Sequence, residues 1–240
     1  MAIKEYLSRV FPDTAQAFFQ QAGNAMLTGK RLFVITANPE ILMGAEGDPS
    51  IREMLLQKDH AVVPDGISVV KAMQLMGFPA KERITGVDLA EKLLKLAGEQ
   101  KKSVYLLGAK EDVVSALAAK LKGKYPGMEV HYKNGYGADK DADFREIEAL
   151  QPDLTLVALG VPAQEKLIAR HLENFSKGVF IGVGGSFDVL SGSKRRAPAV
   201  FVKTNTEWLY RIVREPSRLG RFYRSNIKFL GRVRKEARGA

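Results

Sequence analysis

An aspartate stands between two apolar runs in the first third of the chain. Pro64-Asp65-Gly66 separates the apolar residues 61–63 from those at 67–70. A carboxylate placed there is costly unless it is paired or has a chemical task. Pro-Asp-Gly is typical of a turn in which the aspartate bonds its own backbone. The alternative is a general base at the end of a strand, facing a ligand crevice.

Two polar residues end the preceding apolar run, RLFVITA at 31–37, in a similar way. Thr36 and Asn38 could hydrogen-bond a sugar or a phosphate. Asn38 is also a favoured helix N-cap, and taken alone the cap is the simpler interpretation. Asp141-Ala142-Asp143 has the DxD form of some metal-binding sites. It opens a polar helix, where acidic residues suit the helix dipole, so a structural role is favoured.

Several kinds of site are excluded by composition and spacing. The chain has no cysteine and only three histidines, which are scattered, so thiolate sites, disulfides and a zinc site are not expected. The glycine-rich segments 135–140 and 182–188 both lack the GxGxxG fingerprint of dinucleotide binding. Ser186 does not stand in a GxSxG motif. We therefore expect neither a metal nor a cofactor.

The elements that position these residues alternate along the chain. Strands are predicted at 31–37, 61–63, 103–109, 128–137, 154–160 and 178–185. Helices are predicted at 1–30, 39–43, 67–77, 87–98, 110–126, 141–151 and 162–175. This alternation of strands and helices predicts an α/β fold with a Rossmann-like parallel sheet covered by helices. Ligands of such sheets lie beyond the carboxyl ends of the strands, where Asp65, Thr36 and Asn38 are expected.

The positive charge is concentrated at the end of the chain. The net charge is +10, of which residues 203–240 carry +8, from eleven Lys or Arg against three Glu. We predict a core at 1–195 and a basic amphipathic appendage at 196–240. Its apolar positions recur at helical spacing, and its basic positions lie on another face. The apolar set is Leu219, Phe222, Tyr223, Ile227 and Leu230, and the basic set is Arg221, Arg224, Lys228 and Arg232.

This pattern is typical of a helix that binds a membrane surface. The first residues, MAIKEYLSRVFPDT, lack the apolar core of a signal peptide. No run approaches the roughly 20 apolar residues of a membrane span. We therefore expect a cytoplasmic protein that binds the inner face of the membrane peripherally, through residues 203–240.

Seven segments, in order and over roughly residues 31–230, carry a resemblance to a known family. They are TANPE (36–40), VVPDGISVV (62–70), ERITGVDL (82–89), VYLLGAK (104–110), VALGVPAQEK (157–166), GVGGSFDVLSGSKRRAP (182–198) and EWLYRIVREPSRLGRF (207–222). Each motif alone is weak, but the ordered set is specific. It resembles the WecG/TagA/CpsF family of bacterial glycosyltransferases, and is most similar to the TagA branch.

The resemblance implies a Rossmann-like enzyme that is inverting and independent of metal. It would transfer a sugar from a UDP-sugar donor to a polyprenyl-diphosphate-linked sugar acceptor at the cytoplasmic membrane face. For the TagA branch the donor is UDP-N-acetylmannosamine. The acceptor is N-acetylglucosaminyl-diphospho-undecaprenol, and the product is the linkage unit of wall teichoic acid.

The resemblance also implies roles for single residues. Asp65 would be the catalytic base, and Arg83 would hold the diphosphate. Thr36 and Asn38 would line the sugar pocket, and Gln164 would contact substrate. Gly184, Gly185 and Asp188 would form the nucleotide pocket. Arg214, Arg221 and Arg224 would complete the site over the leaving group.

Other interpretations stay open. Relatives in the family use N-acetylmannosaminuronate or glucose as the donor sugar. A sequence pI of about 9.7 would also suit a nucleic-acid-binding α/β protein, but the body offers no basic stripe, and we expect no nucleic acid partner. A nucleotide-dependent oxidoreductase lacks its glycine fingerprint. The apolar face of the appendage could also drive homo-oligomer formation away from the membrane.

Overall fold

Six parallel strands form one sheet in a computed structural model of the chain. The structure describes residues 3–216 and 219–238, apart from the side chains of Arg211, Arg221 and Phe222. The strand order is β2-β1-β6-β5-β3-β4. The bounds are β1 Arg31–Ala37, β2 Ala61–Pro64, β3 Ser103–Gly108, β4 Glu129–Lys133, β5 Leu154–Ala158 and β6 Gly178–Gly182. The predicted α/β class with a parallel, Rossmann-like sheet is confirmed.

Helices cover both faces of this sheet. They are α1 Ile3–Leu7, α2 Ala15–Leu27, α3 Pro39–Gly47, α4 Pro49–Leu56, α5 Ile67–Leu75, α6 Gly86–Glu99, α7 Glu111–Lys124, α8 Lys140–Leu150, α9 Ala163–His171, α10 Ser186–Ser191, α11 Ala199–Lys203, α12 Glu207–Arg214 and α13 Leu219–Arg238. The prediction of one helix over 1–30 was wrong, because the chain leaves α1 to pair Val10 with Val62 of β2. The helix predicted to end at residue 43 continues to Gly47, and Asp48 then caps α4.

Successive strand residues point into two separate cores. In β1, Phe33 and Ile35 pack on the side of α1, α3, α5 and α9, and Val34 packs on the side of α2, α6 and α7. Burial on both faces requires apolar side chains at consecutive positions. This explains why the strands read as continuous apolar runs rather than as alternating ones.

The carboxyl ends of three neighbouring strands come together at one edge. Ala37 of β1 lies level with Pro64 of β2, and Val34 of β1 lies level with Ile181 of β6. The residues that follow β1, β2 and β6 therefore meet, and β1 lies between the other two strands. A ligand crevice is expected at such an edge of an open parallel sheet.

The last helix packs against the body of the protein. Phe229 and Val233 of α13 are buried in the core formed with α1, α3 and α5. Arg232 Nε lies 2.9 Å from Glu46 Oε1 on α3. Neither Phe229 nor Val233 belongs to the apolar stripe identified in the sequence, so the prediction missed the face that docks.

The apolar stripe itself lies on a neighbouring face of α13. Leu219, Tyr223 and Ile227 are exposed, and on α12 Trp208, Leu209 and Val213 are exposed as well. These two helices therefore present large apolar side chains to solvent. Among the residues described, none of the helices combines the length and the apolar composition needed to cross a membrane.

The packing of α13 predicts unequal effects for two nearby substitutions. We expect Phe229→Ala to lower the free energy of unfolding by about 3–5 kcal/mol, since a fully buried ring is lost. Ile227→Ala lies on the same helix but its side chain is 48% exposed, so we expect a cost below about 1 kcal/mol. Urea unfolding followed by circular dichroism measures both. Equal losses of unfolding free energy in the two variants would contradict the packing of α13 against the body.

Candidate active site

Asp65 lies directly after β2, at the edge where the three strands end. Its N–H donates to the carbonyl of Ala37 at 2.9 Å. Its Oδ1 accepts a hydrogen bond from the N–H of Gly86 at 3.0 Å. Gly86 is the first residue of α6, so the carboxylate lies at the amino end of a helix. The helix dipole stabilises negative charge there.

Thr36 and Asn38 lie at the end of the adjacent strand β1. Thr36 is buried, and its Oγ1 donates to the carbonyl of Gly182 at 3.2 Å. Asn38 Oδ1 accepts from the N–H groups of Glu40 and Ile41 at 2.9 and 3.1 Å and so caps α3. The cap interpretation of Asn38 is confirmed. Since the oxygen serves the cap, a ligand would be bound by Nδ2.

Gln164 joins the loops that follow β5 and β6. Its buried Oε1 accepts from the N–H of Gly160 at 3.1 Å and from that of Gly184 at 3.0 Å. Its Nε2 donates to Glu165 Oε1 at 2.7 Å. This arrangement requires glycine at 182, because a Cβ there would lie 2.5 Å from Gln164 Nε2 and 2.7 Å from Glu165 Oε1.

Four charged side chains connect the start of α6 to the C-terminal segment. Arg83 Nη2 donates to Glu207 Oε2 at 3.3 Å. Arg196 binds Asp88 through both Nη atoms at 2.6 and 2.8 Å, and its Nε lies 3.9 Å from Glu207 Oε1. Burial alone would raise the pKa of Asp88. Hydrogen bonds from Arg196 and Thr85 outweigh that effect and hold the pKa below its usual value.

A cavity of about 310 Å³ lies between α10, the segment 194–197 and α12. Gly185 and Asp188 line it from α10 and the loop before it, and Arg214 lines it from α12. The other basic residues of the lining are Lys194, Arg195 and Arg196. A concave site with several guanidinium groups suits an anionic ligand such as a diphosphate.

Comparisons of the sequence with known proteins identify its family. The sequence model of the Glycosyl transferase WecG/TagA/CpsF family matches residues 8–240. The chain belongs to that family.

Curated relatives carry a more specific name. The N-acetylglucosaminyldiphosphoundecaprenol N-acetyl-beta-D-mannosaminyltransferase of Bacillus spizizenii is 39% identical over 212 residues, which cover 88% of this chain and 82% of the relative. The protein of the same name from Bacillus subtilis strain 168 is 39% identical over 186 residues, 77% of this chain and 72% of the relative. That from Staphylococcus aureus strain MW2 is 38% identical over 191 residues, 79% and 75% of the two chains.

The tail arginines expected in this glycosyltransferase lie in different places. Arg214 lines the cavity, and its Cζ lies 5.6 Å from the centre of the Tyr210 ring. Arg224 is exposed on α13, and its Nε donates to the carbonyl of Gly220 at 3.4 Å. The side chain of Arg221 lies outside the described residues. The structure therefore brings Arg214 to the cavity and leaves Arg224 away from it.

The DxD pair of the glycosyltransferase takes part in ion pairs on α8. Asp141 Oδ1 lies 2.6 Å from Arg170 Nη1 and 2.7 Å from His171 Nε2. Asp143 Oδ1 lies 3.0 Å from Lys133 Nζ. These contacts join α8 to α9 and to β4. They agree with the structural role favoured from the sequence.

A second cavity of about 310 Å³ lies at the outer edge of β2, where Arg9, Phe11, His60 and Phe78 are among the lining residues. It shares no residue with the predicted site of the glycosyltransferase. The candidate active site is the carboxyl edge of the sheet, where Asp65, Thr36, Asn38 and Gln164 lie.

Glu165 is a buried acid that the sequence interpretation missed. Its side chain is fully buried, and among the described residues Oε2 has no hydrogen-bond partner. Burial raises the pKa of Glu165 to about 7, and the negative charges of Glu40 and Asp65 add to the effect. The hydrogen bond from Gln164 opposes this rise. Glu165 therefore holds a proton at slightly acidic pH.

The raised pKa of Glu165 predicts a specific pH dependence of stability. The folded state binds this proton up to about pH 7, whereas the unfolded chain releases it near the ordinary glutamate pKa of 4.5. Stability therefore falls as pH rises from about 4.5 to 7, by about 3 kcal/mol from this group. We expect Glu165→Gln to remove that slope in urea unfolding at pH 5 and 8.

Glu173→Gln serves as the matched control, since Glu173 follows the same helix and its side chain is 75% exposed. We expect it to keep the wild-type slope. A Glu165→Gln variant with the slope of the wild type would disprove the buried proton.

Proposed function

We propose that this glycosyltransferase moves N-acetylmannosamine from UDP-N-acetylmannosamine to N-acetylglucosaminyl-diphospho-undecaprenol. The reaction would build the linkage unit of teichoic acid. The names of the relatives support the acceptor and the transferred sugar. One structural observation supports the transfer chemistry most. The segment 83–88 contacts Asp65 through the N–H of Gly86, and it contacts two residues of the arginine-lined cavity through the Arg83–Glu207 and Asp88–Arg196 pairs.

Asp65 acts as the general base in this proposal. The acceptor hydroxyl oxygen forms a bond to the anomeric carbon of the donor sugar, and the bond from that carbon to the UDP oxygen breaks. Asp65 takes the hydroxyl proton, and the configuration inverts. A positioned base typically contributes 10²–10⁴-fold to the rate. The N–H of Gly86 fixes the position of the carboxylate through Oδ1.

Arginines stabilise the leaving group. Negative charge develops on the UDP diphosphate as the glycosidic bond breaks, and preorganised guanidinium groups stabilise such charge. Arg196 and Arg214 line the cavity, Arg83 binds Glu207 of its lining, and in this proposal the three supply this charge without a metal ion. Gln164 fixes the loop after β6 through the N–H of Gly184 and contacts substrate in this proposal. Thr36 and Asn38 line the sugar pocket beside Asp65.

The C-terminal helices bind the inner leaflet of the cytoplasmic membrane in this proposal. Exposed apolar side chains lie on α11, α12 and α13, and the same segment is strongly basic. Each basic residue near an anionic leaflet contributes about 1 kcal/mol. The exposed apolar residues add burial in the headgroup region. This location would bring the cavity close to an acceptor that is anchored in the membrane.

The catalytic proposal predicts the behaviour of Asp65→Asn. We would measure UDP release in chelator, with UDP-N-acetylmannosamine and a short-chain polyprenyl-diphospho-N-acetylglucosamine. We expect turnover by the wild type and a loss of at least about 100-fold in the variant, since the base is removed with little change of shape. Equal turnover by both proteins would exclude Asp65 as the base.

Parallel reactions with UDP-N-acetylmannosaminuronate and UDP-glucose test the donor. We expect N-acetylmannosamine to be transferred fastest. Turnover with only one of the other two UDP-sugars would leave the family assignment unchanged and would identify that sugar nucleotide as the donor.

The membrane proposal predicts that apolar residues of α12 are needed for binding to vesicles. We expect the double variant Leu209→Ser/Val213→Ser to cosediment less with phosphatidylglycerol-containing liposomes. Leu27→Ser is the matched control, because Leu27 is exposed by 42%, as Leu209 is, and lies on α2. We expect it to cosediment like the wild type. An equal decrease in both variants would argue against a membrane face on α12.

A further inference from the structure

Glu207, the first residue of α12, is buried although its helix exposes most of its apolar residues. Glu207 is 3% exposed, whereas Trp208 and Val213 are 40% and 71% exposed. Within the described part of α12, the apolar contact is limited to the half-buried residues Tyr210 and Ile212, and the Tyr210 ring lies 5.4 Å from that of Phe201. A carboxylate buried at the start of the helix needs compensating charge to be stable.

Two arginines from different parts of the body provide that charge. Arg83 Nη2 lies 3.3 Å from Glu207 Oε2, and Arg196 Nε lies 3.9 Å from Oε1. The Arg83 side chain is itself only 12% exposed. Removing one partner of a buried ion pair leaves the other charge uncompensated, which is strongly destabilising. These ion pairs therefore help to fix the start of α12.

The segment that carries Arg83 also contacts the proposed base. Gly86 follows Arg83 by three residues, and its N–H binds Asp65. Thr85 accepts from the N–H of Asp88 at 3.2 Å, and Asp88 binds Arg196. A shift of Arg83 would therefore be transmitted to the group that holds Asp65.

We propose that Glu207 is a positioning residue that fixes α12 over the cavity and orients Arg83. The part of this inference that concerns the diphosphate rests on the proposed function. A guanidinium has five N–H donors, and Glu207 engages Nη2. Among the described residues Arg83 has no other hydrogen-bond acceptor, and in this proposal its remaining donors bind the diphosphate. A change in the docking of α12 would therefore also change the geometry of the 83–88 segment.

The anchoring can be tested without any substrate, because Trp208 is the one tryptophan in the sequence and follows Glu207 directly. We would measure acrylamide quenching of Trp208 in the wild type, Glu207→Gln, Arg83→Gln and the double variant. We expect each single substitution to increase quenching, because α12 loses its anchor. We expect no further increase in the double variant, because both changes remove the same interaction.

Glu215→Gln is the matched control, since Glu215 follows the same helix and accepts from Lys194 Nζ at 2.9 Å. We expect its quenching to equal that of the wild type. Thermal unfolding by circular dichroism verifies that each variant is folded. Wild-type quenching in a folded Glu207→Gln protein would overturn the anchoring role.

Calorimetric titration with UDP tests the orientation of Arg83. A positioning role predicts that Glu207→Gln binds UDP about tenfold more weakly, equivalent to about 1.4 kcal/mol. If Glu207 acted only through its charge, removing that charge would strengthen UDP binding instead. Tighter or unchanged binding therefore disproves the orientation of Arg83. Absence of UDP binding by the wild type would count against the proposed function, while the quenching result still decides whether Glu207 anchors α12.

Discussion

The site depends on the parallel pairing of β1 with β2 on one side and with β6 on the other. Because the three strands run in the same direction, their carboxyl ends meet at one edge. The N–H of Asp65 then reaches the carbonyl of Ala37, and the hydroxyl of Thr36 reaches the carbonyl of Gly182. A slip of one residue in β1 would turn Thr36 to the opposite face of the sheet. The two apolar cores prevent such a slip, because they fix which side chains point to each face.

The part of the fold that depends on local pattern could be predicted from the sequence. The prediction of a strand at 31–37 matches β1, because burial on both faces leaves a continuous apolar run. Asn38 could be identified as a cap from its type and from the proline that follows it. The break between α1 and α2 could not be predicted, because it comes from pairing with β2. The boundary between a core at 1–195 and an appendage at 196–240 stays a prediction.

The charged contacts of the site depend on residues far apart in sequence. Arg83 and Glu207 are 124 positions apart, and Arg196 and Asp88 are 108 apart. No local pattern relates such residues, although each of them lies in a motif of the family. In contrast, the local sequence around Glu165 does indicate that this residue is buried. It stands three residues before the buried Ile168, on the face of α9 that packs against the sheet, where an acidic residue is unexpected.

The contact between the first and the last described helices limits how the C-terminal segment can be studied. Glu236 Oε1 accepts from the N–H of Ile3 at 2.9 Å, so a residue of α13 serves as the N-terminal cap of α1. Cutting the chain before α13 would uncap α1 and open the core around Phe229. A truncated enzyme would then lose activity through unfolding, whether or not it needs a membrane. Single exposed side chains of α12 and α13 separate these two effects, because they leave the cap in place.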